Sequence, residues 1–386
     1  MKRYILIIIA ILTFFASSQV HAAEQGSANQ KVTYRYDFKR SGYTDAQVRP
    51  PLELGWFFNT NLSDEYIYNP KINCSLIGEG SRLYFGTFNK TFTAFDTEKR
   101  AIIWQFKTEG DVHAGATMDG EKIFFGDSKG FLYCLNKNSG KLMWQRSYDN
   151  EILSSPLVAA DRLYFSDMSD TLYSISTQTG DAKWKVAVEN YLNNIVMRGV
   201  TSPAYSDGLI YQGASDGYLY CFDAETSEEK YRKKVKGGGK FYDVDAPAAV
   251  EGKVVYSSSY DGNLIAVSSD EPKTKWSAKV KGNSYSAFNK DALIVSSSEG
   301  ALYRINKDVG SVVWESELSE HLTAPVITND HIFVASEDFF YVVDINSGEV
   351  EYEYEPGSGI NSELCLIGDR VYFVSNKGYL YCFKSK

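Results

Sequence analysis

An aromatic residue returns roughly every forty positions along most of the chain, and a period of that size restricts the fold to a repeat architecture. Trp104, Trp144, Trp184, Tyr231, Trp276, Trp314 and Tyr352 are spaced 40, 40, 47, 45, 38 and 38 residues apart. Each closes a similar unit. Compare AGATMDGEKIFFGDSKGFLYCLNKNSGKLMW, ending at Trp144, with SSPLVAADRLYFSDMSDTLYSISTQTGDAKW, ending at Trp184. The unit ending at Tyr231 begins at Thr201 and follows the same plan.

Within a unit, the residue types predict four short strands. A brief first strand such as Ser155 to Ala159 meets a polar turn. A second, β-branched and aromatic strand follows, such as Arg162 to Ser166. The next turn often carries glycine, as in Lys129-Gly130, Asp216-Gly217, Asp261-Gly262 and Lys377-Gly378, which suits a tight hairpin. After a third strand, a second glycine stands four residues before the aromatic at Gly140, Gly180, Gly310 and Gly348. The fourth strand carries the aromatic, whose ring is expected between neighbouring units, where it buries the most area. Four strands per unit at this period predict a β-propeller.

The two ends set the blade number. Ser362 to Lys386 holds three strands and stops, whereas Leu52 to Phe58 is a lone strand with its own Trp56. Docking that strand beside the last three would complete an eighth blade and remove the open sheet edges. The expectation is an all-β, single eight-bladed propeller over residues 51–386, preceded by a leader over 23–50.

Residues 1–22 read as a secretory signal peptide. Lys2 and Arg3 precede an apolar run from Tyr4 to Ala16, and Val20-His21-Ala22 resembles a cleavage site. The run is short for a membrane span, and no later stretch is apolar enough to be one, so no transmembrane segment is expected. No Cys follows the run, so a lipid-anchoring lipobox is absent. The protein is expected outside the cytoplasm, in the periplasm or at the outer-membrane periphery, with secretion as the alternative. The chain carries 40 Lys+Arg against 49 Asp+Glu, a net charge of −9, which argues against non-specific attraction to nucleic acid or anionic membranes. Apolar residues at 44% and charged residues at 23% describe an ordinary globular chain and exclude a disordered one.

The five cysteines are too few for a disulfide scaffold. Cys134, Cys221 and Cys382 share one repeat position in blades two, four and eight, which are not adjacent, so buried free thiols are expected. Cys74 and Cys365 fall in neighbouring blades one and eight, which leaves a bridge open if their Cα atoms lie within ~7 Å.

The repeat, with its Gly-x-x-x-Trp ending, resembles the PQQ-like β-propeller repeat. That family includes quinoprotein alcohol dehydrogenases and the outer-membrane assembly factor BamB. Two stretches are similar to BamB segments: IVMRGVTSPA from Ile195, and DVDAPA from Asp243. The resemblance implies that these loops meet a BamA-type barrel-assembly subunit, through Ile195, Met197 and Arg198 in one patch and Asp243 and Asp245 in the other. A second reading of the same residues has Arg and Asp bridging adjacent blades, as they do in many PQQ-like propellers. The connections from fourth strand to next first strand are long at roughly Asn59 to Lys71, Glu189 to Gly199 and Val235 to Val244, and the last two contain both patches. Loops on a rigid scaffold are where binding concentrates.

Catalytic signals are missing. His113, His321 and His331 are dispersed by repeat phase, so they form no metal triad. A quinoprotein would need a cofactor cage and a calcium site. There is no Cys-Cys pair, and Asp243 and Asp245 fall short of the six to eight oxygens that calcium takes. Gly237-Gly238-Gly239-Lys240 lacks the Ser or Thr of a phosphate loop. The expectation is a non-catalytic, monomeric propeller without cofactor or metal, binding a protein and no nucleic acid, and assisting assembly of outer-membrane β-barrels. An extracytoplasmic propeller for another protein, peptide or glycan is the alternative, and a PQQ-dependent dehydrogenase comes third.

Overall fold

The computed structural model describes residues 32–60, 75–87, 89–188, 201–235, 238, 243–282, 284–360 and 362–386. The described residues contain strands and no helix, hence none long and apolar enough to cross a membrane. The strands form eight four-stranded antiparallel sheets. Blades 1 to 7 span residues 77–107, 117–147, 157–187, 204–234, 249–279, 284–317 and 326–354. Blade 8 joins residues 365–385 to the strand Leu52–Asn59.

Burial follows position in the blade. Second and third strands are buried along nearly their whole length, as in Arg162–Ser166 and Thr171–Ser176, because both faces of a blade meet a neighbour. Fourth strands alternate between exposed and covered residues, as in Ala182–Ala187. First strands of neighbouring blades touch one another and so line the axis. Eight apolar clusters fill the eight seams. One joins blade 1 to blade 8 through Leu83, Phe85, Tyr372 and Leu380, so the series closes on itself.

The periodic aromatics are the bolts of the seams. The indole N–H of Trp104 donates to the Lys137 carbonyl at 3.0 Å, and that of Trp144 to Thr177 at 3.4 Å. Trp184, Trp276 and Trp314 donate in the same way to Ala224, Lys307 and Ile345. Each acceptor lies in the next blade's turn between third and fourth strands. The repeat glycine of that turn provides the space. A Cβ on Gly310 would sit 2.5 Å from the Trp276 ring, and one on Gly348 would sit 2.8 Å from the Trp314 ring. Gly-x-x-x-Trp therefore joins two roles in different seams: the glycine receives the previous blade's ring, and the tryptophan fills the next.

The fourth strand of blade 8 comes from the other end of the chain. Trp56 lies opposite Cys382, and the register slips between Leu54 and Trp56. Blades 1 to 7 slip at the equivalent step, for example between Cys134 and Leu135 opposite Trp144 and Leu142. The slipped residue, Gly55 or Met143, is a β-bulge. The lone N-terminal strand thus reproduces a local feature shared by the seven continuous blades.

Residues 32–50 differ from the leader expected over 23–50. From Val32 onward the chain is built into the ring, and Arg40 is fully buried. The physical reason is that this stretch finds backbone partners on the first strands. Residues 1–31, which include the expected signal peptide, lie outside the described residues.

Candidate functional site

Two regions gather polar chemistry, the axis and one rim. On the axis, residues 32–44 run past the first strands of successive blades and bond to blades 2 to 8. The carbonyls of Val32, Phe38, Lys39, Ser41 and Gly42 accept from the backbone N–H groups of Met118, Tyr205, Val250, Phe288 and Ile327, in blades 2, 4, 5, 6 and 7. Arg40 supplies blade 3: its Nη2 donates to the Ser155 carbonyl at 3.0 Å, while its Nε donates to Pro203 at 2.9 Å. Its Nη1 donates to Tyr34 O at 2.7 Å and Thr33 Oγ1 at 3.2 Å. Burial lowers the Arg40 pKa to about 10, still charged at neutral pH, and the surrounding carbonyls satisfy the charge. Tyr36 Oη accepts from Leu366 N, and Tyr34 Oη donates to Glu363 at 2.7 Å, which ties in blade 8. Burial raises the Glu363 carboxyl pKa, with Arg35 opposing that rise.

This axial segment leaves little space. Val32, Arg35, Tyr36, Gly42, Leu76 and Glu363 border a cavity with room for about two water molecules. A quinone-sized cofactor does not fit the stretch of axis that the segment fills. Among the described residues, no three His, Cys, Asp or Glu side chains are grouped to hold a metal ion.

On the rim, turns between second and third strands meet the ends of fourth strands. Val188 N donates to Asp170 O, Val235 N to Gly217 O, and Val280 N to Gly262 O. The fourth strands therefore end at the same rim as those turns, which is where the fourth-to-first connections leave the blades. Ile195, Met197 and Arg198 lie outside the described residues, as do Cys74 and most of the three long connections. The flanks are informative. Thr201, just after the 189–200 stretch, donates through Oγ1 to Ala246 O at 3.1 Å. Its own carbonyl accepts from Ser166 Oγ at 3.0 Å. The two consecutive connections are thus tied together where they re-enter the ring.

Asp243 and Asp245 occupy different environments. Val244 N donates to Ala214 O at 3.1 Å, and the Val244 side chain covers Gly213, where a Cβ would come within 2.4 Å. That anchor fixes the backbone between the two carboxylates. Asp243 is 1% exposed, and its carbonyl accepts from Tyr260 N. Asp245 is partly exposed. Its pKa is raised to about 7, first by desolvation, then by the nearby charges of Asp243 and Asp170. Asp170 is itself raised by burial, and it accepts from Ser215 N at 3.1 Å and from Ser215 Oγ.

The cysteines carry no site. Cys134, Cys221, Cys365 and Cys382 are buried free thiols, and burial holds their pKa values near 12 for the first three and near 11 for Cys382. Thiolates are scarce at such values, so these groups are inert. His331 lies 3.0 Å from Glu351 on the opposite rim.

The axial segment is the polar feature that sequence reasoning missed. Its signal was the alternation of aromatic and basic residues in Tyr34-Arg35-Tyr36 and Phe38-Lys39-Arg40, too polar for an ordinary strand and too aromatic for a solvated leader.

Comparison with known proteins agrees with the ring. A family model described as outer membrane protein assembly factor BamB matches residues 89–316 and 201–386. The BamB of Shewanella oneidensis is 27% identical over 204 residues, covering 49% of this chain and 50% of its own. The chain spans about half the length of the curated relatives it matches. Among solved structures, BamB from Moraxella catarrhalis superposes with a TM-score of 0.74 at 19% identity, over 86% of this chain and 99% of that one. A europium-containing methanol dehydrogenase superposes at 0.71 with 13% identity, over 92% and 98%, a likeness of fold alone. Because the family model covers most of the ring, the chain belongs to the family of the outer membrane protein assembly factor BamB.

Proposed function

We propose that this protein is a non-catalytic scaffold in the assembly of outer-membrane β-barrels, acting at the periplasmic side of the outer membrane. It engages a barrel-assembly subunit of the BamA type through the rim of blades 3 to 5. The observation that carries this reading is the Thr201–Ala246 tie, which brings two consecutive long connections to one place in a member of this family. Asp245 is the partly exposed carboxylate beside that tie, and Ile195, Met197 and Arg198 are assigned to the neighbouring connection. A rim that presents apolar side chains beside charged ones suits a protein partner, where a few anchored residues carry most of the energy.

Site-specific crosslinking from position 197 in the native envelope tests the assignment. A barrel-assembly subunit is expected in the adduct, and Arg198→Glu or Asp245→Lys should remove it while the ring still folds and melts cooperatively. Recovery of an unrelated extracytoplasmic protein or a glycan instead would favour the second reading from the sequence. Unchanged adducts in both variants would overturn the rim assignment.

A further inference from the structure

The net charge of −9 hides two arcs of opposite sign along the perimeter of blades 3 to 7. At the outward positions of the fourth strands, blades 3 to 5 carry Lys183 and Lys185, then Lys230, Arg232 and Lys234, then Lys275 and Lys279. Blades 6 and 7 carry Glu315, Glu317, Glu351 and Glu353 at the equivalent places. The bulge before each aromatic is what makes the preceding residue and the following one both exposed, so cations at those places share one outer surface.

Acidic residues bordering the basic arc are mostly engaged. Asp181 pairs with Arg146 at 3.0 Å, Glu225 with Arg162, and Asp270 with Lys253 at 3.2 Å. Lys230 is held by Glu228 at 2.6 Å, and Arg232 by Glu229 at 3.3 Å. Lys183, Lys185, Lys234, Lys275 and Lys279 form no ion pair among the described residues. Lys279 Nζ donates only to the Asp261 carbonyl, at 3.5 Å, so five ammonium groups on three adjacent blades keep their charge unmatched among the described residues.

Among the described residues, the fourth strands of the arc expose no large apolar side chain. The Trp184, Tyr231 and Trp276 rings turn into the seams, with their polar hydrogens donated to Ala224, Ser268 and Lys307 carbonyls. Protein interfaces are depleted of Lys at the centre and need a buried core, which this wall lacks. An unmatched set of long, mobile cations on a convex wall suits a diffuse anionic field instead. We propose that the perimeter of blades 3 to 5 is an electrostatic docking surface for anionic phospholipid headgroups. The acidic arc of blades 6 and 7 is repelled by the same headgroups, so the ring meets the bilayer edge-on in one orientation. This surface lies on the side wall and does not rest on the rim reading above.

Vesicle flotation with the full chain tests it. Vesicles of equimolar phosphatidylglycerol and phosphatidylcholine should carry more protein than phosphatidylcholine alone, and raising the salt should abolish the difference. The triple variant Lys183→Glu, Lys234→Glu, Lys275→Glu should lower the anionic-lipid component by at least roughly a hundredfold, the factor that losing three cations at about fivefold each already gives. Glu351→Gln with Glu353→Gln should keep it. Wild type and variants share the same first residues, so an apolar N-terminus contributes equally to all of them. If the reversal variant does not fold, single Lys→Gln changes at the same positions read the effect one charge at a time. Equal binding to both vesicle types, or undiminished binding by the triple variant, overturns the proposal. Loss of concentration-dependent self-association in the triple variant, without vesicle binding by wild type, also overturns it and assigns the arc to a second copy of the chain. The rim reading is scored separately, by adduct formation from position 197 in the native envelope.

Discussion

Arg40 and Asp245 are both charged groups withdrawn from solvent, and the ring treats them in opposite ways. Arg40 is fully buried, yet its guanidinium donates to carbonyls from blades 3 and 4 and from its own segment. Asp245 is only partly buried, but two further carboxylates crowd it and its pKa rises to about 7. The axis is a place where charge is satisfied and stability is made. The rim is a place where charge is left strained, and such sites are more often where binding happens. On the proposed reading, stability and recognition are separated along the radius and height of one scaffold, and each half of that contrast can be broken.

The largest effect is expected at the axis. Arg40→Met keeps volume but strips donors from several buried carbonyls, each a loss of about 1–3 kcal/mol, so the ring should lose at least about 3 kcal/mol. Urea unfolding measures this. A midpoint equal to wild type would mean that the axial segment is ornamental and would erase the contrast. The positive φ values of Arg35, Tyr36 and Arg40, at 57°, 72° and 57°, point the same way, since such backbone persists only where surroundings impose it.

How much of this was legible in the sequence depends on whether the partner was local. Trp104, Trp144 and their successors announced the blade number because each repeat contains its own aromatic, turn glycine and strands. Trp56 announced its blade because its strand carries the same signature. Arg40 announced nothing, since its acceptors at Ser155 and Pro203 lie 115 and 163 residues away and are backbone atoms with no residue identity. Asp243 and Asp245 read as a matched pair, and only the anchoring of Val244 between Gly213 and Ala214 reveals that one is interior and the other not. The division of the perimeter into basic and acidic arcs was present letter by letter. It required the bulge to show which letters face outward.

A second test moves from axis to seam. Gly310 has φ +74° and its Cβ would strike the Trp276 ring at 2.5 Å, whereas Gly120 has φ +59° with nothing within 4 Å. Both alanine variants bear the left-handed backbone cost of about 1 kcal/mol. Only Gly310→Ala must also displace a bonded indole, which adds roughly 1–3 kcal/mol for overpacking. Thermal unfolding of the two should differ by that increment. Equal melting would show that the seams yield more easily than the Trp276 hydrogen bond at 2.6 Å suggests.

The smallest effect, and the one that reads the rim directly, is Asp245→Asn. An acid whose folded pKa is raised holds its proton longer in the folded state than in the unfolded one. Between the ordinary aspartate pKa near 4 and the folded value of about 7, the native state therefore binds more protons, and stability falls as pH rises through that window. Above pH 7 the penalty is complete. Asn carries no such charge, so the variant should be more stable than wild type at pH 8 by about 1–2 kcal/mol, discounted for partial exposure, and equal to it below pH 4. Glu363 is also raised, and its slope cancels in the difference between the two proteins; Asp170, whose charge helps raise Asp245, titrates with it and its change belongs to that difference. A rim residue kept for binding at a cost in stability should then show both signs at once: Asp245→Asn melts higher at pH 8 and captures less of its partner. A variant that melts higher with capture unchanged would leave Asp245 as strain without a recognition role, and the rim contact would rest on the 195–198 connection alone.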